Sequence, residues 1–441
     1  MRSNRKPLPL EEFEAAIVDL AEDGRGVARV DGKVVFIDGA LPGEQVRYKL
    51  TRKRRDADEG QATAILAPSP DRVTPKCAHF GLCGGCSVQH LAPEAQLRFK
   101  EKQLLDALAR IGKVKPDEIA PALSGSSWGY RRRARLSVKH VPKKGGVLVG
   151  FRERLSPFVA AIGSCAVLDP RVGTRLKDLA ALIETLSIKE HIPQIEVAAV
   201  DVVALVVRVM REPTADDLAR LRAFAAQHDV RFYLQPGGID SIAPLDPADA
   251  LTYSPDGSDL KLEFGPADFI QVNGDLNQRM VRQALEWLDV RAGDSVLELF
   301  CGLGNFSLPL ARAGASVTAV EGETGLVRRA EANAQRNAVS ARFIKSDLFV
   351  PDPQAPWLAQ RYSSVLLDPP RAGAAEILPH VAKTGAKRIV YVSCHPGTLA
   401  RDLGTLVHQH GYRLLRAGVM DMFPHTSHVE SMALLERADG H

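Results

Sequence analysis

No run of 18 or more apolar residues free of charge occurs in the 441-residue chain, so a membrane-spanning helix is not expected. The start, M-R-S-N-R-K-P-L-P-L-E-E-F-E, lacks an apolar stretch long enough for a secretory signal. Cysteine is scarce, with six residues, too few for a secreted disulfide scaffold. These absences place the protein in the cytoplasm. Internal repeats and low-complexity tracts are also missing. An excess of one charge is lacking as well: 57 lysines and arginines stand against 53 aspartates and glutamates, a net charge of +4. The average conceals a split. Residues 1–150 carry 27 basic and 18 acidic residues, whereas 151–441 carry 30 and 35. A basic front on an acidic body points to a polyanionic partner. The length suits about three domains with cores that need no staples.

Residues 12–68 read as short strands. I-V-D-L, G-V-A-R-V, K-V-V-F-I and Q-V-R-Y-K-L are separated by turn residues, which predicts a small barrel. The run Arg47, Lys49, Arg52, Lys53, Arg54 and Arg55 falls at its end, before a linker marked by Pro68, Pro70 and Pro75. A helix is expected from Pro93 to about Ile111, with Leu97, Leu104, Leu105 and Leu108 on one face. Residues 128–262 mix strands with helices near 170–187 and 214–228. From about 263, strand-like runs alternate with helical stretches, the rhythm of a mostly parallel sheet covered on both faces.

In that last part, S-V-L-E-L-F-C-G-L-G-N-F-S-L-P-L-A reads as strand, glycine turn and helix. Gly302 and Gly304 let the backbone approach a ligand at the strand's carboxyl end. Glu321 ends the next strand, where a carboxylate can hold ribose hydroxyls. No third glycine follows G-L-G-N, so a nucleoside without pyrophosphate, such as S-adenosylmethionine, fits better than a nicotinamide cofactor. Asp347 and Asp368 sit at further strand ends, and each also suits a helix cap. Cys394, in V-S-C-H-P, ends another strand just before a helix start that favours thiolate. It is either a nucleophile or a small packed residue. Cys301, in the glycine turn, is expected to pack. Glu430 precedes a terminal strand-like run, where it is either a base or a surface charge.

Cys77, Cys83 and Cys86 follow the spacing C-x5-C-x2-C, with Cys165 a possible fourth thiol. Four thiolates suit an iron–sulfur cluster or zinc, and His79 or His90 could complete a zinc site. Y-R-R-R-A-R-L-S-V-K, with Arg131, Arg132, Arg133 and Arg135, reads as a grip on an RNA backbone, with a solvated strand face as the bland alternative.

The order of these pieces resembles the bacterial RNA uracil-C5-methyltransferases over roughly residues 12–437, and most closely those that act on 23S rRNA and carry an iron–sulfur cluster. The resemblance rests on D-G-R-G-V-A-R-V, the cysteine motif, D-F-I-Q-V-N, F-C-G-L-G-N-F-S, D-P-P-R-A-G, V-S-C-H-P-G-T-L-A-R-D-L and H-V-E-S-M-A-L-L. It implies a multidomain α/β chain in three parts. An OB-like β-barrel of the TRAM kind spans 10–68. A central α+β domain at 75–262 carries the cluster and binds RNA, with helix 93–112 packing on the third part. A Rossmann-like class I methyltransferase domain spans 263–441. It further implies donor contacts at Gln271, Phe300, Asn305, Glu321, Asp347 and Asp368, nucleophile Cys394, base Glu430, and a [4Fe–4S] cluster on Cys77, Cys83, Cys86 and Cys165. The implied donor is S-adenosylmethionine and the implied partner 23S ribosomal RNA, with no membrane and no obligate protein partner. A cytosine-directed relative would be expected to carry a second cysteine after the D-P-P-like turn, where Arg371 stands here. Relatives acting on tRNA lack the barrel and the cysteine motif. A non-catalytic RNA-binding iron–sulfur protein would not need Cys394.

Overall fold

The computed structural model describes residues 11–438. The stretch read for a secretory signal, the first residue of the expected barrel and the last three residues lie largely or wholly outside that span. The chain divides into two compact units. The first holds residues up to 100 together with 152–157 and 424–428, and the second holds 101–151, 158–423 and the residues from 429.

In the first unit, β1 (Phe13–Leu20), β2 (Gly26–Val30), β3 (Lys33–Asp38), β4 (Gln45–Arg52) and β5 (Ala57–Ala67) close a barrel in the order β1-β2-β3-β5-β4. The sequence marks the first four. The fifth, A-D-E-G-Q-A-T-A-I-L-A, is poor in β-branched residues and is made a strand by its partners on both sides. Alternation builds the core: Val46 and Tyr48 point inward beside Ile17, Val35 and Ile37, while Lys49 points out. Gly60 lets the strands close, because a Cβ there would lie 2.7 Å from the Tyr48 ring. In the basic run, Arg47 and Lys49 face Glu12 and Glu14, and Arg54 faces Glu59 at 2.7 Å. Half of that run is therefore neutralised locally. α1 (Pro93–Ala107) crosses the division after Lys100, and past it Leu104 and Leu108 are buried in the core of the second unit.

The second unit begins with β6 (Glu118–Ile119), an edge strand of its large sheet. A six-stranded sheet follows, made of β7 (Arg133–Val141), β8 (Gly146–Gly150), β9 (Gln194–Ala199), β10 (Val203–Arg208), β11 (Val230–Gln235) and β12 (Ala243–Pro244) in the order β12-β11-β10-β9-β7-β8. Between its strands run α2 (Pro170–Gly173), α3 (Leu176–Glu184) and α4 (Ala215–His228), and apolar residues of α3 and α4 pack into its core. β13 (Leu251–Tyr253) and β14 (Leu262–Phe264) form a short ribbon.

The rest is doubly wound. α5 (Gly274–Leu288), β15 (Ser295–Leu299), α6 (Ser307–Arg312), β16 (Ser316–Glu321), α7 (Thr324–Arg336), β17 (Ala341–Lys345), β18 (Ser364–Leu367), α8 (Leu378–Lys383), β19 (Arg388–Ser393), α9 (Pro396–His410), β20 (Tyr412–Met420) and β21 (Glu430–Arg437) follow in turn. The sheet order is β17-β16-β15-β18-β19-β21-β20-β6. The first five strands are parallel, and β21 is antiparallel to both of its neighbours. The chain leaves β15 toward β16 on one side and later returns with β18 on the other. That reversal opens a crevice at the carboxyl ends, where such sheets bind ligands. Among the described residues no helix is long and apolar enough to cross a membrane.

Candidate active site

Strand register alone brings most of the expected residues to one edge. Leu299 lies opposite Val320 and Leu367, and Leu367 lies opposite Tyr391. Phe300, Glu321, Asp368 and Cys394, at or just past these strand ends, leave the sheet together. On the antiparallel side Ser393 pairs with Ser431, the last pair of that ladder, so Cys394 just past β19 and Glu430 at the head of β21 adjoin the same pair. Glu430 is buried and Cys394 half-buried.

The glycine turn is shaped for a ligand. Phe300 leaves β15 at φ +64°, a left-handed conformation uncommon outside glycine, and Gly302 follows at φ +54°. A Cβ at Gly302 would meet nothing within 4 Å, so that side of the turn is open. The Glu321 carboxylate accepts from Gly302 N at 3.1 Å, Gly322 N at 2.7 Å and Glu323 N at 3.1 Å. These bonds fix an acidic acceptor beside the opening, and the pair fits a nucleoside with ribose hydroxyls. Cys301 is buried, as expected. Asp347 is exposed, and its carboxylate accepts from Phe349 N at 2.9 Å and Val350 N at 3.3 Å. No helix follows it, so the helix-cap reading does not hold; these bonds leave it beside the edge but engaged in its own turn.

Asn305 is held by residues that the sequence does not single out, and Gln271 by one singled out for another role. The Asn277 amide donates to Asn305 Oδ1 at 3.1 Å and accepts from Asn305 Nδ2 at 3.0 Å, and the Tyr253 hydroxyl donates to Asn305 Oδ1 at 3.2 Å. Asn277 is fully buried in α5, where asparagine is a poor helix former; that mismatch is the signal that could have revealed it. The Gln271 carbonyl accepts from Arg132 Nε at 2.8 Å.

Arg132 belongs to the arginine run expected to grip RNA, and here the structure corrects the expectation. Its guanidinium lies 4.8 Å over the Tyr253 ring, and burial lowers its pKa. Arg133 bonds Val197 O at 3.0 Å and Glu196 at 2.8 Å. Arg135 shares Glu196 but keeps most of its side chain exposed. Most of the run thus makes internal ties; Arg133 and Arg135 share one face of β7 and the same Glu196, and of the two only Arg135 stays largely exposed.

Burial dominates the electrostatics. Glu298, on β15 beneath the glycine turn, accepts from Ser307 Oγ and is pushed up to about 8 by desolvation, with Asp368 and Glu321 adding to the rise. Desolvation, followed by repulsion from Glu430, also raises Asp368 to about 8. Both acids hold protons in the folded chain that an unfolded chain has released. Folding stability therefore falls as pH rises from the ordinary carboxylate range through about 8, then levels off. Melting temperatures of the ligand-free protein between pH 5.5 and 9 are expected to show this fall. Glu298→Gln is expected to flatten it, and an unchanged slope in that variant would remove Glu298 from the account.

Cys394 is also raised, to about 11, by burial first and then by Glu430 and Asp368, against an opposing pull from Arg371. The helix start expected to favour thiolate does not prevail. His395 caps α9 instead, its Nδ1 accepting from Thr398 N at 3.2 Å.

Cys77, Cys83 and Cys86 belong to the first unit and Cys165 to the second. All four are half-buried. Gly85 N lies 3.4 Å from Cys83 Sγ, the backbone support a ligating sulfur receives. Among the described residues no group of three or more His, Cys, Asp or Glu is arranged to hold a metal ion. His90 is buried, with its pKa lowered to about 4 mainly by desolvation.

A reversing parallel sheet, an open glycine turn and an acidic strand edge define an α/β methyltransferase. A model of tRNA (uracil-5-)-methyltransferases matches residues 253–345 and 358–438, and a TRAM domain model matches 9–62. The chain is 52% identical over 441 residues to the 23S rRNA (uracil(1939)-C(5))-methyltransferase RlmD of Alkalilimnicola ehrlichii, covering 99% of both chains. It is 51% identical to the protein of the same name from Methylococcus capsulatus, again covering 99% of each. Its fold is shared by the Pyrococcus abyssi tRNA (uracil-54, C5)-methyltransferase in complex with S-adenosyl-L-homocysteine. The TM-score is 0.74 at 24% identity, over 96% of this chain and 99% of that one, a coverage that takes in most of the barrel and so corrects the expectation that relatives acting on tRNA lack it. The chain belongs to the family of 23S rRNA (uracil-C5)-methyltransferases.

Proposed function

We propose that the protein transfers a methyl group from S-adenosylmethionine to C5 of a specific uridine in 23S ribosomal RNA, with Cys394 as nucleophile and Glu430 as base. The observation that carries the reading is that Cys394 and Glu430 each directly adjoin the last pair of the β19–β21 ladder, Ser393 and Ser431, at the edge where Phe300, Glu321 and Asp368 also end. When bound, the donor supplies an electrophilic methyl on a sulfonium. Gln271, Phe300, Asn305, Glu321, Asp347 and Asp368 hold and orient it. The target base leaves its stack to enter the crevice. Cys394 adds as thiolate to C6, and the C5–C6 electron pair moves onto C5 and the C4 oxygen. C5 takes the methyl, Glu430 removes the C5 proton, and the returning pair expels the thiolate. Two ordinary steps replace one difficult one. The test is methyl-labelled donor with unmodified 23S rRNA: label at uracil C5 is expected, and label on any other atom would overturn the reading.

The three-part division at 10–68, 75–262 and 263–441 belongs to the same proposal. So does RNA binding by the outward cations of the barrel and Arg135. Cys77, Cys83, Cys86 and Cys165 are proposed to hold a [4Fe–4S] cluster, on the strength of the C-x5-C-x2-C spacing with Cys165 as the fourth thiol. About four irons per chain are expected after anaerobic purification, with loss on Cys86→Ser. Stoichiometric zinc without iron would count against the cluster.

A further inference from the structure

Charge alone does not explain where Arg132 lies. Its side chain is half-buried, with Nη2 enclosed and without a hydrogen-bond partner, and no carboxylate pairs with it among the described residues. A charge withdrawn from water in this way costs free energy unless other contacts offset it. The contacts that it does make lead toward two expected donor contacts. Nε donates to Gln271 O at 2.8 Å, and the guanidinium lies 4.8 Å over the Tyr253 ring, where a cation is drawn to the aromatic face. Gly274 leaves room for it, because a Cβ there would lie 2.9 Å from Nη1. The Arg132 backbone is stitched on both sides, N donating to Val272 O at 2.8 Å and O accepting from Ala199 N at 2.8 Å. The residue therefore ties the six-stranded sheet, at the end of β9, to the segment 271–272.

Tyr253 carries the tie onward. It is buried, and its hydroxyl donates to Asn305 Oδ1 at 3.2 Å. Asn277 completes the arrangement and fixes its sense. Its Nδ2 donates to Pro255 O at 3.1 Å and to Asn305 Oδ1 at 3.1 Å, while its Oδ1 accepts from Asn305 Nδ2 at 3.0 Å. A flipped Asn277 amide would set oxygen against the Pro255 carbonyl, so the pair has one stable orientation. Two donors then fill Asn305 Oδ1, and one hydrogen of Asn305 Nδ2 is taken by Asn277. The second Nδ2 hydrogen is what Asn305 can offer to a ligand. It suits an acceptor such as the carboxylate on the amino-acid half of the methyl donor.

We propose that Arg132 and Tyr253 are positioning residues of the methyl-donor site: Tyr253 orients the Asn305 amide, and Arg132 holds both the Tyr253 ring and the Gln271 backbone. The inference rests on Gln271 and Asn305 being donor contacts. Within the arginine run, Arg132 then serves the donor, and contact with the RNA backbone falls to Arg135.

Calorimetric titration of S-adenosylhomocysteine into the full-length protein reads the effect. Tyr253→Phe keeps the ring beneath the guanidinium and removes only the hydroxyl, and it is expected to weaken binding about fivefold. Arg132→Met keeps the apolar stem and is expected to weaken binding about tenfold. Arg132→Lys, which returns a cation to the ring, is expected to recover part of that loss. In methyl transfer, Tyr253→Phe and Arg132→Met are expected to raise KM for the donor, with kcat at saturating donor within about twofold of wild type. A merely structural role would lower the melting temperature and the active fraction, and so kcat, without moving KM. RNA binding is the second arm. Loss of a phosphate contact would flatten its salt dependence by about one in slope, and Arg132→Met is expected to leave that slope unchanged. Unchanged affinity for S-adenosylhomocysteine in Tyr253→Phe overturns the inference even where Arg132→Met fails to fold. A flattened slope in Arg132→Met with donor affinity intact overturns it too. Failure of the underlying reading looks different, because Asn305→Ala would then bind S-adenosylhomocysteine as tightly as wild type.

Discussion

Cys394→Ala is expected to abolish methyl transfer, with turnover falling by at least about 10^4-fold while donor and RNA still bind. Uracil C5 lacks the electron density to attack a methyl group until C6 carries a nucleophile. An alanine at the strand end supplies none. The substitution removes only a half-buried sulfur, so the sheet should persist and the melting temperature should change little. Donor binding by calorimetry and single-turnover transfer to unmodified 23S rRNA separate the two effects. Turnover within tenfold of wild type would end the covalent mechanism.

Glu430→Gln is expected to lower turnover by about 10²–10⁴-fold in a different way. The thiolate can still add and the methyl can still arrive, but the C5 proton stays. Elimination is then blocked, and RNA accumulates joined to Cys394 through C6. A slower-migrating protein–RNA species on a denaturing gel is the expected signature. It should require the methyl donor and disappear in the Cys394→Ala, Glu430→Gln double variant. A slow variant that accumulates no such species would move the base elsewhere. Glutamine matches the shape of the buried carboxyl at the head of β21, so misfolding is a poor explanation of the loss.

The sequence made the doubly wound sheet legible because its strands are continuous apolar runs that end in glycine, acid or cysteine. Those ends are where the crevice lies, so Glu321, Asp368 and Cys394 could be found without coordinates. What stayed hidden was what packs against the site. Asn277 and Tyr253 steady Asn305 from elements that sequence pattern alone does not bring near it. The arginine run misled for a related reason. Arg132, just before β7, and Arg133, its first residue, are drawn to a ring and a carboxylate that lie far away in sequence. The charge state of Cys394 was equally unreadable. It depends on Glu430 and Asp368, which approach only through strand pairing.

That pairing has a mechanical consequence. The proposed nucleophile and base flank the last pair of two adjacent strands of a continuous sheet, so the sheet, with its strand spacing of about 4.8 Å, keeps them close. No closing loop has to assemble them before each turnover. Motion during the cycle is left to the RNA, which must deliver an unstacked base to them. The same arrangement is brittle. A one-residue slip of β21 against β19 would turn Glu430 to the opposite face, together with every other side chain of a strand that is buried from Glu430 to Leu435.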